Sequence, residues 1–146
     1  MVFLALGTNI GDREENLRIA RDMIRSAFDA DIVCSDVMRT EAMGFDGPCF
    51  LNQIVALETG KGPFEVLGIC QGIETGMGRL PHGAVWNESG ERIYENRIID
   101  IDILTYNDMK MTTERLTLPH PQCYGRPYVA ELMKTFDKEI YKKYKI

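Results

Sequence analysis

The segment Asn96-Arg97-Ile98-Ile99-Asp100-Ile101-Asp102-Ile103-Leu104 alternates over most of its length. Period-two alternation is the signature of a β-strand. Successive strand side chains point to opposite faces, so Ile99, Ile101 and Ile103 bury on one side while Ile98, Asp100 and Asp102 share the other. Two carboxylates on one face, ~6–7 Å apart at the backbone, repel each other and add nothing to an apolar core. They call for positive charge. Mg²⁺ fits, because it is usually held by one or two carboxylates plus substrate phosphate oxygens. Arg97 adds a planar donor suited to phosphate. Taken alone, an Asp-x-Asp pair is more often a solvated edge strand, so the rest of the chain decides its meaning.

The chain has 146 residues, enough for a single domain (1–146) with a sizeable core. A net charge of −5 argues against a broad nucleic-acid surface, so any anion site must be a local cluster of arginines. No apolar run approaches the ~18 residues of a membrane span, and no signal-peptide pattern precedes the first strand. Cys34, Cys49, Cys70 and Cys123 show no C-x-x-C spacing, which points to reduced thiols in a cytoplasmic protein, not to zinc or a disulfide framework.

Val2 to Leu6 reads as a buried strand, and Gly7-Thr8-Asn9-Ile10-Gly11 as a strand-to-helix turn, since it matches neither dinucleotide nor P-loop spacing. Asp12 is the expected N-cap of the first helix, with Glu15 three residues later as in a capping box. Leu17, Ala20, Met23, Ile24, Ala27 and Phe28 form its apolar face. Ile32 to Met38 reads as one strand, Met43 to Cys49 as a loop, and Phe50 to Glu58 as a strand whose Phe50 and Asn52 share a face. An aromatic beside an amide suits a flat heterocycle. Pro63 opens a second helix with Phe64, Leu67, Cys70, Ile73 and Met77 as its apolar stripe, ending at Gly78-Arg79. Leu80 to Glu95 is expected to be irregular, a length typical of a lid or a disordered segment. After the aspartate strand come a turn at Tyr106-Asn107-Asp108, a return segment through Met111, and an extended Arg115 to Pro121. A final helix from about Tyr128 buries Val129, Leu132, Met133, Phe136 and Ile140. Three helices and four to six strands with hairpin-like connections predict an α+β sandwich with a mostly antiparallel sheet.

Four segments together resemble the 6-hydroxymethyl-7,8-dihydropterin pyrophosphokinases of folate biosynthesis: Leu6 to Arg13, Phe50-Leu51-Asn52, Ile73-Glu74 through Gly78-Arg79, and Arg97 to Leu104. A fifth, Glu114 to Pro121, follows in the right order and at the right distance. The resemblance implies a ferredoxin-like α/β/α sandwich that moves the terminal pyrophosphoryl group of ATP to a pterin hydroxymethyl group, releasing AMP. It implies two Mg²⁺ ions held by Asp100 and Asp102, which with Arg79 and Arg97 are the expected catalytic residues. Phe50 and Tyr128 would sandwich the pterin, with Thr40, Asn52 and the backbone near Met43 along its edge. Gln71, Glu74, Ile103, Arg115 and Thr117 would hold adenine and ribose, and Arg79, Arg97, His120 and Arg126 the phosphates. The expected partners are these two small substrates, with neither nucleic acid nor membrane, and nothing demands more than a monomer.

The chain also departs from the family pattern. Pro81 stands where a second arginine is usual, the stretch from Arg79 to Arg97 is longer, and its usual Trp-Gly-Pro-Arg ending is Tyr94-Glu95-Asn96-Arg97. Arg92 is the candidate replacement for the missing arginine. The end of the chain, from Ala130 to Ile146, lacks the usual proline-rich continuation. These changes concern lid and tail, so the alternative reading is a pterin or nucleotide binder of the same fold with weakened catalysis.

Overall fold

The computed structural model describes residues 1–41, 48–78, 85–86, 92–93, 98–121 and 126–144, with side chains described in all of these except 85–86, 92–93, 135 and 137–144. Its elements run β1 (Val2–Thr8), α1 (Arg13–Phe28), β2 (Ile32–Cys34), β3 (Met38–Thr40), β4 (Phe50–Leu57), α2 (Pro63–Gly76), β5 (Val85–Trp86), β6 (Arg92–Ile93), β7 (Asp100–Tyr106), β8 (Met111–Thr112), β9 (Thr117–Leu118) and α3 (Pro127–Tyr144). The main sheet has the order β2-β4-β1-β7, with β3 continuing β2 alongside β4, and its pairings are all antiparallel. Each helical crossover therefore skips one strand: α1 carries the chain from β1 past β4, and α2 carries it from β4 past β1. This is the double split β-α-β arrangement of a ferredoxin-like sandwich, as expected.

The two faces of the sheet bury different sets. Val2, Leu4 and Leu6 of β1, with Ile101 and Ile103 of β7, pack against Leu17, Ala20 and Ile24 of α1 and Val66, Cys70 and Ile73 of α2. Ala5, Ile54, Ala56 and Leu104 pack on the opposite face against Val129, Leu132 and Phe136 of α3. Asp100 and Asp102 alternate with the buried isoleucines and so lie on the α3 side, as the sequence pattern requires.

Two bulges tune this alternation. In β7, Leu4 stands opposite Ile103 but Phe3 opposite Thr105, so Leu104 is an extra residue and both Ile103 and Leu104 bury, on opposite faces. The expected strand Ile32 to Met38 is broken for the same reason. Cys34 pairs with Val55 and Met38 with Asn52, leaving Ser35, Asp36 and Val37 against only Gln53 and Ile54. Ser35 N–H donates to Ile54 O at 2.8 Å, its hydroxyl oxygen accepts from Ile54 N at 2.8 Å, and Gln53 Nε2 donates to Ser35 O at 2.8 Å. The kink is thus satisfied by side chains that a period-two reading does not weigh.

Local signals hold with small corrections. Asp12 caps α1 by accepting from Glu15 N at 3.1 Å, but the Glu15 carboxylate pairs with Arg18 and does not complete the capping box. Gly11 has φ +73°, the left-handed turn that separates β1 from α1. Pro63 opens α2 as its first residue, and the helix ends at Gly76, two residues before Gly78 at φ +103°. Ala27 is exposed, and so is Phe64, because the buried stripe of α2 runs through Val66, Cys70, Ile73 and Glu74 instead. The stretch Leu80 to Glu95 contains the short β5–β6 pair; its remaining residues lie outside the described ones, as does most of the Met43 to Cys49 loop. No helix among the described residues is long and apolar enough to cross a membrane.

Candidate active site

Along β1 the side chains facing α3 shrink: Phe3, Ala5, Gly7. Phe3 meets Phe136 edge-on, ring centroids 5.4 Å apart at 60°, so α3 covers that half of the sheet. The Gly7 half is built differently. Asn52 of β4 and Asp100 of β7 both stand opposite Gly7, forming one row across three strands, and Asp102 stands opposite Ala5 in the next row on the same face. With neighbouring strands ~4.8 Å apart, Asn52 and Asp100 flank a floor about 10 Å wide at the backbone. A Cβ on Gly7 would lie 3.5 Å from Asn52 Oδ1 and 3.6 Å from Phe50 Cδ1. Glycine therefore keeps the space between the aromatic, the amide and the acids clear.

Asn52 is buried, and both of its N–H groups are committed: Nδ2 donates to Thr40 Oγ1 at 2.8 Å and to Met38 O at 3.1 Å. That fixes the amide orientation and leaves the carbonyl oxygen, turned toward Gly7, as the group it can offer a ligand. Phe50 and Thr40 are half-buried and paired across β4 and β3. At the mouth of α3, Arg126 NH1 donates to Asp102 Oδ2 at 3.3 Å and to the Tyr128 hydroxyl at 3.1 Å. Burial works against the Arg126 charge, but the negative potential of Tyr128 and Asp102 outweighs it and holds the guanidinium above its ordinary range. Burial pushes the Tyr128 phenol up; Arg126 opposes this, while Asp102 and Asp100 add to it. Tyr128, Arg126 and the two aspartates therefore share one electrostatic environment. The described ring pairs do not include Phe50 with Tyr128.

The strand-to-helix turn holds the segment that precedes β4. Asn9, fully buried, donates to Pro48 O at 3.2 Å, and Arg13 NH1 donates to Cys49 O at 2.7 Å. Asn16 Nδ2 donates to Ile10 O at 2.9 Å and to Thr8 Oγ1 at 3.1 Å. These bonds anchor the segment that leads into Phe50.

A second group lies along the outer edge of β7. Glu74, buried on α2, accepts from Ile101 N at 2.9 Å, the acceptor role that a neighbouring strand would otherwise fill. Gln71, one turn earlier, is exposed. β9 lies against β7, carrying a half-buried Thr117, and His120 N donates to Leu104 O at 2.8 Å. Arg115 is exposed on the tight Thr113–Leu116 turn between β8 and β9. The structure thus gathers Thr40, Phe50, Asn52, Asp100, Asp102, Arg126 and Tyr128 on one face, and Gln71, Glu74, Ile103, Arg115, Thr117 and His120 around the adjoining edge. Met43, Arg79, Arg97 and Pro81 lie outside the described residues, as does the Arg92 side chain. Sequence reasoning passed over Gly7 as part of the site; the shrinking series Phe3, Ala5, Gly7 was the available signal.

No three His, Cys, Asp or Glu side chains cluster as a metal cage among the described residues. The pair of hard carboxylate oxygens fits Mg²⁺ better than zinc, because Mg²⁺ keeps waters and substrate phosphates in its shell.

Residues 3–138 match the family model described as 7,8-dihydro-6-hydroxymethylpterin-pyrophosphokinase. The chain belongs to this family. It is similar to the 2-amino-4-hydroxy-6-hydroxymethyldihydropteridine pyrophosphokinase of Porphyromonas gingivalis, 37% identical over 131 residues, which cover 88% of this chain and 85% of the relative. The protein of the same name from Bacillus subtilis is 34% identical over 145 residues, covering 95% of this chain and 81% of that one. The mitochondrial folate synthesis bifunctional protein of Pisum sativum is 37% identical over 129 residues, 88% of this chain but 23% of its own length. In this member of the family, the Phe50-Asn52 strand and the Asp100-Asp102 strand meet across Gly7.

Proposed function

We propose that this chain transfers the pyrophosphoryl group of ATP to the hydroxymethyl group of 6-hydroxymethyl-7,8-dihydropterin, releasing AMP, in folate biosynthesis. The observation that carries the reading is the row Asn52, Gly7, Asp100, which sets an aromatic–amide pair and two acids on one face of the sheet. Phe50 and Tyr128 supply flat surfaces for the pterin. The Asn52 carbonyl oxygen accepts from its N–H edge, while Thr40 and the backbone near Met43 complete the hydrogen bonding. Two Mg²⁺ ions held by Asp100 and Asp102 would supply charge neutralisation at the ATP phosphates. Gln71, Glu74, Ile103, Arg115 and Thr117 hold adenine and ribose in this reading. Arg79, Arg97, His120 and Arg126 face the phosphates, and Arg126 exchanges Asp102 for phosphate when nucleotide arrives. The pterin hydroxyl oxygen bonds to the β-phosphorus as the bond to the AMP oxygen breaks, and the hydroxyl proton is lost. Positioning and charge neutralisation account for most of the catalysis such a transfer needs. The fixed Asn52 amide and the rigid β1 floor provide positioning before substrate binds. A monomer in the cytoplasm completes the reading, in keeping with Cys34, Cys49 and Cys70 being thiols outside any disulfide.

The test is AMP release from ATP, Mg²⁺ and the reduced hydroxymethylpterin, for wild type beside Asp102→Ala. Pterin-dependent AMP that collapses in the variant, by ~10²-fold or more, is the expected result. ADP in place of AMP would refute the chemistry. Saturable pterin binding without product would favour the weakened binder.

A further inference from the structure

Phe64 has no place in the core: it is 40% exposed on the first turn of α2, where the family resemblance assigns it nothing. Its ring carries the guanidinium of Arg115, with Cζ 5.4 Å from the ring centroid, within the range of a cation–π contact. Phe64, Thr113, Glu114 and Arg115 together line a shallow open depression between α2 and the β8–β9 turn. No ion pair of Arg115 is found among the described residues, although Glu114 is its chain neighbour. The turn itself is rigid. Thr113 N and Oγ1 both donate to Leu116 O, at 3.0 and 2.9 Å, which fixes the backbone of Arg115 but not its long side chain.

We infer that Phe64 is a positioning residue that holds Arg115 in place for the nucleotide. The inference rests on the reading above, in which Arg115 faces the adenosine part of ATP. An exposed arginine samples many rotamers, and a planar guanidinium lying on a planar ring samples fewer. The ring therefore removes part of the ordering cost that ATP binding would otherwise meet. Leucine at this position would keep the apolar bulk and lose the π-face, while tryptophan would keep the face.

The experiment compares wild type, Phe64→Leu, Phe64→Trp, Arg115→Ala and the Phe64→Leu/Arg115→Ala double variant. Calorimetry measures ATP binding in MgCl₂, and NMR follows the Arg115 side-chain resonances of the chain alone. An exposed cation–π contact predicts about a two- to fivefold weaker ATP affinity in Phe64→Leu. Phe64→Trp should bind ATP as wild type, pterin KM and kcat should not change in Phe64→Leu at saturating ATP, and the double variant should bind no worse than Arg115→Ala. The upfield ring-current shift of the Arg115 side chain should vanish in Phe64→Leu and persist in Phe64→Trp. Equal ATP binding by wild type and Phe64→Leu, or a Phe64→Leu effect that survives in the Arg115→Ala background, would overturn this inference alone. A wild-type chain that binds no ATP would overturn both this inference and the proposed function.

Discussion

Glu74 offers a test of how the aspartate strand is held. β7 ends the sheet order, so among the described residues its outer N–H groups have no paired strand, and the Ile101 N–H points instead at the Glu74 carboxylate, 2.9 Å away. Both residues are buried, Ile101 at 4% and Glu74 at 9% exposure, so water does not readily replace the lost acceptor in a Glu74→Ala variant. Stranding a buried donor costs about 1–3 kcal/mol, and a hydrogen bond to a charged acceptor contributes about 1.5–3 kcal/mol. The expected destabilisation of Glu74→Ala is therefore about 2–3 kcal/mol. Glu74→Gln keeps an acceptor of the same reach and should lose only about 1 kcal/mol. With a urea m-value of roughly 2 kcal/mol/M, the alanine variant should unfold about 1 M earlier and the glutamine variant about 0.5 M earlier. Equilibrium urea unfolding followed by far-UV circular dichroism, without nucleotide, reads this directly, and the Ile101 amide should exchange faster in Glu74→Ala. Because Ile101 sits between Asp100 and Asp102, turnover should fall as well. An unchanged midpoint in Glu74→Ala, or equal losses in the two variants, would refute the reasoning.

Two further outcomes follow from the geometry. Gly7→Val should fold normally, since a Cβ there makes only ordinary contacts, yet its methyl groups would reach into the space between Phe50 and Asn52. The pterin KM should rise about tenfold or more while ATP affinity holds, a loss of about 1.4 kcal/mol, and an unchanged KM would exclude Gly7 from the binding floor. Cys70 is fully buried, and burial, with Glu74 and Asp102 adding to it, pushes its thiol from 9.0 up to about 12. Between those values the unfolded chain has lost the thiol proton and the folded chain keeps it, so stability falls as pH rises, by up to about 1.4 kcal/mol per pH unit. Cys70→Ala should remove that part of the slope in unfolding measured from pH 9 to 11, leaving the part due to Tyr128, whose phenol is also raised. Identical slopes in both proteins would contradict the assignment.

Much of the fold was written locally. Period-two burial of Ile99, Ile101 and Ile103 needs only the strand pleat and an apolar side to face, and Asp12, Gly11 and Pro63 act through their own backbone geometry. Where local patterning met a competing polar network it failed: Ser35 and Gln53 satisfy a bulge that splits the expected strand at Cys34. Phe64 fits the helical period, but the burial arc of α2 is set by the sheet beneath it and passes through Val66 and Glu74.

The sequence by itself determined which side chains share a face. Asp100 and Asp102 must share a face because strand side chains alternate, and Phe50 must share one with Asn52 for the same reason. It could not say that these were the same face of the same sheet. That depended on the register of β1 between β4 and β7, which sets Asn52 and Asp100 on either side of Gly7. It depended also on α3 covering Phe3, and on Arg126 arriving beside Asp102 from the far end of the chain. Pairing between distant segments is decided by how the whole sheet buries its two faces, a free energy shared among all the elements and readable only once they are assembled.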